Sequence, residues 1–177
     1  MTNRLTPEDW IAAGFRALAK LGPEAVKAEA LARDLGTTKG SFYWHFKNVP
    51  SFHDAMLALW QERAVADIID AVEQVEGAAN RLRALAKLAA DPAPDRFGGR
   101  AVEPALRAWA LRDPKIAAGV ATVDAKRTAY LERLLNDAGK DPNHASLIYA
   151  AYVGFDSLGT EGRLAELIDL ILRAQPA

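Results

Sequence analysis

Punctuation constrains this chain more than any other feature of its sequence. At Thr6-Pro7, Asp113-Pro114 and Asp141-Pro142 a residue whose side chain can accept from a free backbone N–H stands directly before a proline. That pair opens a helix: the cap satisfies an orphan donor, and proline costs nothing at a first position whose own N–H has no partner. Gly22-Pro23 and Gly36 supply matching stops. Between the marks alanine and leucine dominate, β-branched residues are few and alternating runs are absent, so strands are not expected. The spacing predicts an all-α protein of about nine helices. Expected spans are 7–21, 28–35, 38–46, 49–75 (capped by Asn48, with Pro50 in its first turn), 80–90, one ending near 111, 114–136, one from Asp141-Pro142, and a last from Thr160-Glu161. In the first, Ile11, Phe15 and Leu18 share a face. The one stretch dense in proline and glycine, 91–99, is the expected mobile loop.

Composition narrows the class. At 177 residues and 50% hydrophobic content the chain can bury a sizeable core, and it is too apolar to be disordered. No apolar run approaches the ~18–20 residues that span a bilayer, the segment Met1–Glu8 lacks a signal-peptide core, and cysteine is absent. A soluble cytoplasmic protein, with no membrane partner, is the expectation. The net charge of −1 hides an asymmetry: residues 1–47 carry seven Lys/Arg against five Asp/Glu, and the remainder fifteen against eighteen.

The segment Ala28–Lys47, AEALARDLGTTKGSFYWHFK, is the most informative. Ala32 is small enough for two helices to approach, and Gly36 supplies the positive φ that ends the first of them. Leu31, Leu35, Phe42 and Phe46 form the apolar side. This is a helix-turn-helix pattern, whose second helix can enter the DNA major groove. At about 100° per residue Phe42 and Phe46 point inward together. Gly40, Ser41 and Trp44 then face outward, flanked by Tyr43 and Lys47. Burying Trp44 as well would need partners on both sides of a very short helix. An outward face of this kind suits a groove: glycine admits close backbone approach, the hydroxyls reach phosphate and lysine adds charge.

Leu31-Ala32-Arg33-Asp34-Leu35-Gly36, followed by Thr38-Lys39-Gly40-Ser41-Phe42-Tyr43-Trp44-His45-Phe46, resembles the DNA-binding signature of the TetR family of bacterial transcriptional regulators. The resemblance covers residues 5 to about 60. It implies a helix-turn-helix DNA-binding domain over 1–47 and a larger helical ligand-binding and dimerisation domain over 48–177. It further implies a homodimer that represses from a palindromic DNA operator and lets go when a small-molecule effector binds. Carried over residue by residue, Tyr43 matches a phosphate-contacting tyrosine. Thr38, Lys39, Gly40 and Ser41 match the start of the recognition helix, and Trp44 and His45 match groove-facing positions. Two positions depart from the pattern: Lys27 stands where the family often has a phosphate-contacting threonine, and Val49 where it commonly has a cation, leaving Lys47 as the nearest substitute.

The C-terminal two-thirds is less explicit. Along 114–136 the stripe Ile116, Val120, Val123, Tyr130, Leu134 is interrupted by Arg127, which either pairs with Asp124 at the edge or faces a polar ligand. Trp60, Phe97, Trp109 and Tyr130 are core aromatics or, with Arg127, walls of an effector pocket. Leu147, Ile148, Ala151, Tyr152 and Phe155 form a stripe in the penultimate helix, and the last carries Leu164, Leu167, Ile168, Leu170, Ile171 and Leu172. A terminal helix apolar on two faces needs two burial partners. One is its own domain and the other a second subunit, with Leu147, Ala151, Tyr152, Phe155, Leu164, Ile168 and Ile171 at the interface.

The three histidines, His45, His53 and His144, form no metal or catalytic constellation. His45, His53 and Asp54 are not spaced by a helical turn, and neither a phosphate loop nor a paired acid motif is present. No metal, cofactor or enzymatic activity is expected. The alternatives to a repressor are an activator of the same fold and an all-α interaction module that does not bind DNA.

Overall fold

The computed structural model describes residues 5–90, 95–160 and 162–174. Among these residues it contains nine α-helices and no strand. They are α1 Pro7–Leu21, α2 Ala28–Asp34, α3 Lys39–His45, α4 from Val49 to Glu73, α5 Ala78–Ala90, α6 Val102–Ala110, α7 Pro114–Asp137, α8 His144–Leu158 and α9 Arg163–Arg173. No helix is long and apolar enough to cross a membrane among the described residues.

Most expected boundaries are met by the expected chemistry. The Thr6 side chain accepts from Asp9 N, and the Asp9 carboxylate accepts from Thr6 N at 2.9 Å, closing a reciprocal cap with Pro7 behind it. Those bonds from Thr6, together with the Arg96 guanidinium, hold the Asp9 carboxyl below its ordinary pKa. Asp113 Oδ1 accepts from Lys115 N and Ile116 N and opens α7. Asp141 behaves differently. Its carboxylate accepts from Asn143 N at 2.9 Å and so caps a turn, and α8 starts at His144 instead of at Pro142. Thr160 accepts through its carbonyl from Arg163 N ahead of α9, and Glu161 lies outside the described residues. So does the first part of the expected mobile loop, 91–94; the rest of it forms two short 3-10 turns, Asp95–Phe97 and Gly99–Ala101.

Helix α4 departs from regularity at Arg63–Asp67, where five residues adopt π-helical turns between Val49–Glu62 and Ile68–Glu73. A wider turn leaves a carbonyl short of its usual helical partner. Arg127 Nε donates to the Ala64 carbonyl at 3.1 Å, within that segment.

The chain divides into two compact units. The first comprises residues 1–61 and 92–120. Its core is aromatic: Trp10, Phe42 and Phe52 are wholly buried, with Phe15, Phe46, Leu18, Leu31 and Met56 around them. The Phe42 ring meets Trp10 edge-on at 5.3 Å, Phe52 at 5.2 Å and Phe46 at 5.3 Å, spacings at which ring quadrupoles attract. Segment 95–101 lies against α1. Arg16 donates to the Arg96 carbonyl at 3.0 Å and reaches the Asp34 carboxylate at 3.4 Å, while Arg96 pairs with Asp9 at 3.1 Å. Gly98 is required there. Its φ is +86° and an added Cβ would stand 2.9 Å from the Phe15 carbonyl oxygen.

The second unit comprises 62–91 and 121–177. Val72, Leu82, Ala86, Leu131, Leu134, Leu135, Ala145, Ile148, Leu164 and Ile168 fill its interior. Arg83 pairs with Asp169 at 2.9 Å and fastens α5 to α9. Glu73 is shared by Arg81, Arg133 and the Tyr130 hydroxyl. Burial, reinforced by that carboxylate, pushes the Tyr130 phenol up to about 12.

Deleting the Phe52 ring removes a wholly buried side chain that touches both Phe42 and Phe46. Phe52→Ala is expected to lower the unfolding free energy by about 3–5 kcal/mol. Urea denaturation followed by circular dichroism checks this, and a loss below ~1 kcal/mol would contradict the packing described.

Candidate nucleic-acid interface

Helices α2 and α3 meet through a turn that their sequences dictate. The Thr37 N–H donates to the Ala32 carbonyl at 2.9 Å and Gly36 N–H to Arg33 at 3.2 Å, with Gly36 at φ +62°. This is a helix end that only glycine adopts without strain. Thr38 is then extended and caps α3, its side-chain oxygen accepting from Ser41 N at 3.3 Å. At the far end Phe46 returns to extended geometry and Asn48 Oδ1 accepts from Ser51 N at 2.8 Å, opening α4 as expected.

Phe42 and Phe46 anchor one side of α3 with 0% and 7% exposure. The opposite side is bare. Trp44 is 84% exposed and Tyr43 46%, large values for side chains that gain most from burial. Thr38, Gly40, Ser41, Trp44 and His45 line an open depression of about 360 Å³. A Cβ on Gly40 would meet only Thr38 Oγ1, at 3.6 Å. Packing therefore does not demand glycine there, and its absent side chain leaves the depression open.

Lys27, Lys39 and Lys47 are all exposed. Two of them are already engaged. Lys27 pairs with Glu24 at 3.2 Å. Lys39, at the first turn of α3, pairs with Glu29 on α2 and also lies 5.8 Å from the Tyr43 ring centroid. The hydrogen bond from Lys39 is the main cause that draws the Glu29 carboxyl below its ordinary pKa, and Glu29 raises Lys39 in turn. Lys47 has no ion-pair partner among the described residues. Val49 is half-buried at the start of α4. Neither Glu24 nor Glu29 is among the residues that sequence reasoning singles out. Glu24 stands three residues before Lys27, a readable spacing. Glu29 is ten residues from Lys39, a separation with no periodic signal; only the folded turn joins them.

The aromatics considered for an effector pocket divide between the units. Trp60, Phe97 and Trp109 belong to the first, Arg127 and Tyr130 to the second. Trp60 and Trp109 are each 8% exposed; Trp109 meets the His53 ring edge-on at 4.8 Å, and Phe97 meets Phe15 at 6.4 Å. His53 Nε2 is 3.2 Å from the Val26 carbonyl. Arg127, besides its bond to Ala64, covers the Tyr152 ring at 5.4 Å, and Tyr149 donates to Asp124 at 2.7 Å. Of the residues considered for a subunit interface, Leu164 and Ile168 lie in the interior of the second unit. Ala151, Tyr152, Phe155 and Ile171 are half-buried, and Leu147 is 61% exposed.

Comparison with known proteins agrees with this geometry. The model of the family described as bacterial regulatory proteins, tetR family, matches residues 11–48, which span most of α1, all of α2 and α3, and the turns between them. No curated protein matches the chain in sequence. Among solved structures, a transcriptional regulator from Rhodococcus sp. Rha1 superposes with a TM-score of 0.75 at 21% identity, over 97% of this chain and 100% of its own. A TetR-family transcriptional regulator from Rhodococcus sp. gives 0.78 at 19% identity, over 94% and 98%. The fatty acid degradation regulator FadR from Bacillus halodurans gives 0.70 at 16% identity, over 95% of each. The fold is thus TetR-like, and the sequence signature of the tetR family of bacterial regulatory proteins lies on the tri-helical segment, residues 11–48.

Proposed function

We propose that this chain is a homodimeric DNA-binding repressor that reads a palindromic operator with α3 and is released by a small-molecule effector. The observation that carries the DNA-reading part is the outward face of α3, where an 84%-exposed Trp44 stands beside Gly40, Ser41 and Tyr43 over an open depression. In this reading Tyr43, Lys27, Lys39 and Lys47 meet phosphate and set affinity. Gly40, Ser41, Trp44 and His45 enter the groove, with Thr38 holding the start of the helix. Residues 1–47 act as the DNA-binding domain and 48–177 as the regulatory domain.

Dimerisation is supported by apolar surface on α8 and α9. Leu147, Leu158 and Leu170 are 61%, 76% and 64% exposed, a cost in water that a second copy removes. The subunit face is proposed to comprise Leu147, Ala151, Tyr152, Phe155 and Ile171, with Leu164 and Ile168 beneath it. Release follows if an effector favours a dimer whose two α3 helices no longer match the groove spacing. Arg127 and Tyr130, both in the second unit, are the residues proposed to meet that effector.

Selection of bound duplexes from a random pool is expected to return palindromes whose half-sites lie about one helical repeat apart, ~34–36 Å, or a multiple of it. Against such a duplex, Tyr43→Phe with Lys47→Ala is expected to weaken binding to all sequences alike at ~0.15 M salt. Wild-type affinity in that double variant would refute the phosphate assignment. Trp44→Ala should leave stability within ~0.5 kcal/mol, because the ring is exposed, and should change the selected sequence. An unchanged selection would remove Trp44 from base reading. Leu147→Glu is expected to shift the sedimentation profile from dimer to monomer; a wild-type profile would place the interface elsewhere.

A further inference from the structure

Two of the three lysines proposed to meet a duplex are already engaged in the unbound protein. Lys39 is bound to Glu29 and Lys27 to Glu24, so Lys47 alone of the three carries an uncompensated charge. Glu29 is the more consequential acid. It projects from α2 to the first turn of α3, is exposed, and faces Lys39 directly with Lys27 also near enough to act on it. A phosphate seated on Lys39 has to displace this carboxylate and then sit close to it. The exchange replaces one ion pair with another and leaves a like charge beside the backbone of the DNA.

We propose that Glu29 is an intramolecular competitor of DNA phosphate for Lys39, a positioning residue that lowers affinity for every duplex. The inference rests on the reading of α3 as the DNA-contacting helix. A uniform loss matters because non-cognate DNA is bound through charge, whereas a cognate site adds base contacts. Subtracting charge from both keeps the cognate complex populated and empties the rest. The modest positive balance of the N-terminal segment is then partly a device, with Glu29 as the element that sets it.

Two readouts test this together. In the DNA-free protein, carbon NMR of the Glu29 carboxyl should show titration below the ordinary glutamate range, returning toward it in Lys39→Ala. Fluorescence anisotropy with a random-sequence duplex and with a pool-selected duplex, at ~0.1 M salt, should show Glu29→Gln binding both about two- to fivefold more tightly than wild type. The gain should shrink as salt rises. In the Lys39→Ala background the same substitution should yield less than half that gain, since a competitor needs the lysine for which it competes. An equal gain in both backgrounds would mean only a distant charge effect and would overturn the proposal. Wild-type binding with no gain in Glu29→Gln would overturn it while leaving α3 as the DNA-contacting helix. Failure of every protein to bind either duplex would overturn both.

Discussion

The outward face of α3 exists because Phe42 is pinned on the other side. A seven-residue helix is too short to hold itself together in water, since nucleation costs more than so few hydrogen bonds return. Packing therefore stabilises it, and the packing is aromatic: Phe42 sits between Trp10 of α1 and Phe52 of α4, with Phe46 closing the cluster. Rotating α3 to bury Trp44 would withdraw Phe42 from contacts near 5 Å with three rings. The fold prefers the smaller exposure penalty and leaves Trp44 in solvent. Such a surface is costly unless another molecule covers it for part of the time.

Charge on this face is arranged with similar economy. A net charge of −1 for the chain does not by itself favour nucleic acid, yet binding depends on the field near the phosphate and not on the sum. Near α3 the lysines are local, and two are already satisfied by acids. In the proposed reading, the surface discriminates through α3 while these acids temper its adhesion through charge. The loop segment 95–101, held to α1 by Arg16 and Arg96, supports the same unit from behind, and Gly98 permits its close approach.

Much of this was readable in the sequence because the physics is local. Thr6-Pro7, Asn48 and Asp113-Pro114 open their helices where capping chemistry requires, and Gly36 ends α2 where a positive φ is needed. The inward direction of Phe42 and Phe46 followed from helical spacing alone. Three features were not readable. Asp141 caps a turn instead of the helix, a choice between two geometries open to the same side chain. The π-helical stretch Arg63–Asp67 has no signature of its own, and its Ala64 carbonyl is met by an arginine 63 residues away. The Glu29–Lys39 pair is likewise a product of the turn. Each depends on where distant side chains arrive, which periodicity does not encode. The N-terminal site is thus legible to the extent that it is helical, and illegible where it is electrostatic.

The most direct test of the account is amide NMR of the protein titrated with a duplex selected from a random pool. Shifts are expected to concentrate on Thr38–Lys47 and the Trp44 indole, with smaller changes at Lys27 and Glu29. The wholly buried core of the second unit, Leu134 and Leu135 for instance, should move least. Saturable binding with shifts centred away from α3, and an unperturbed Trp44 indole, would contradict it.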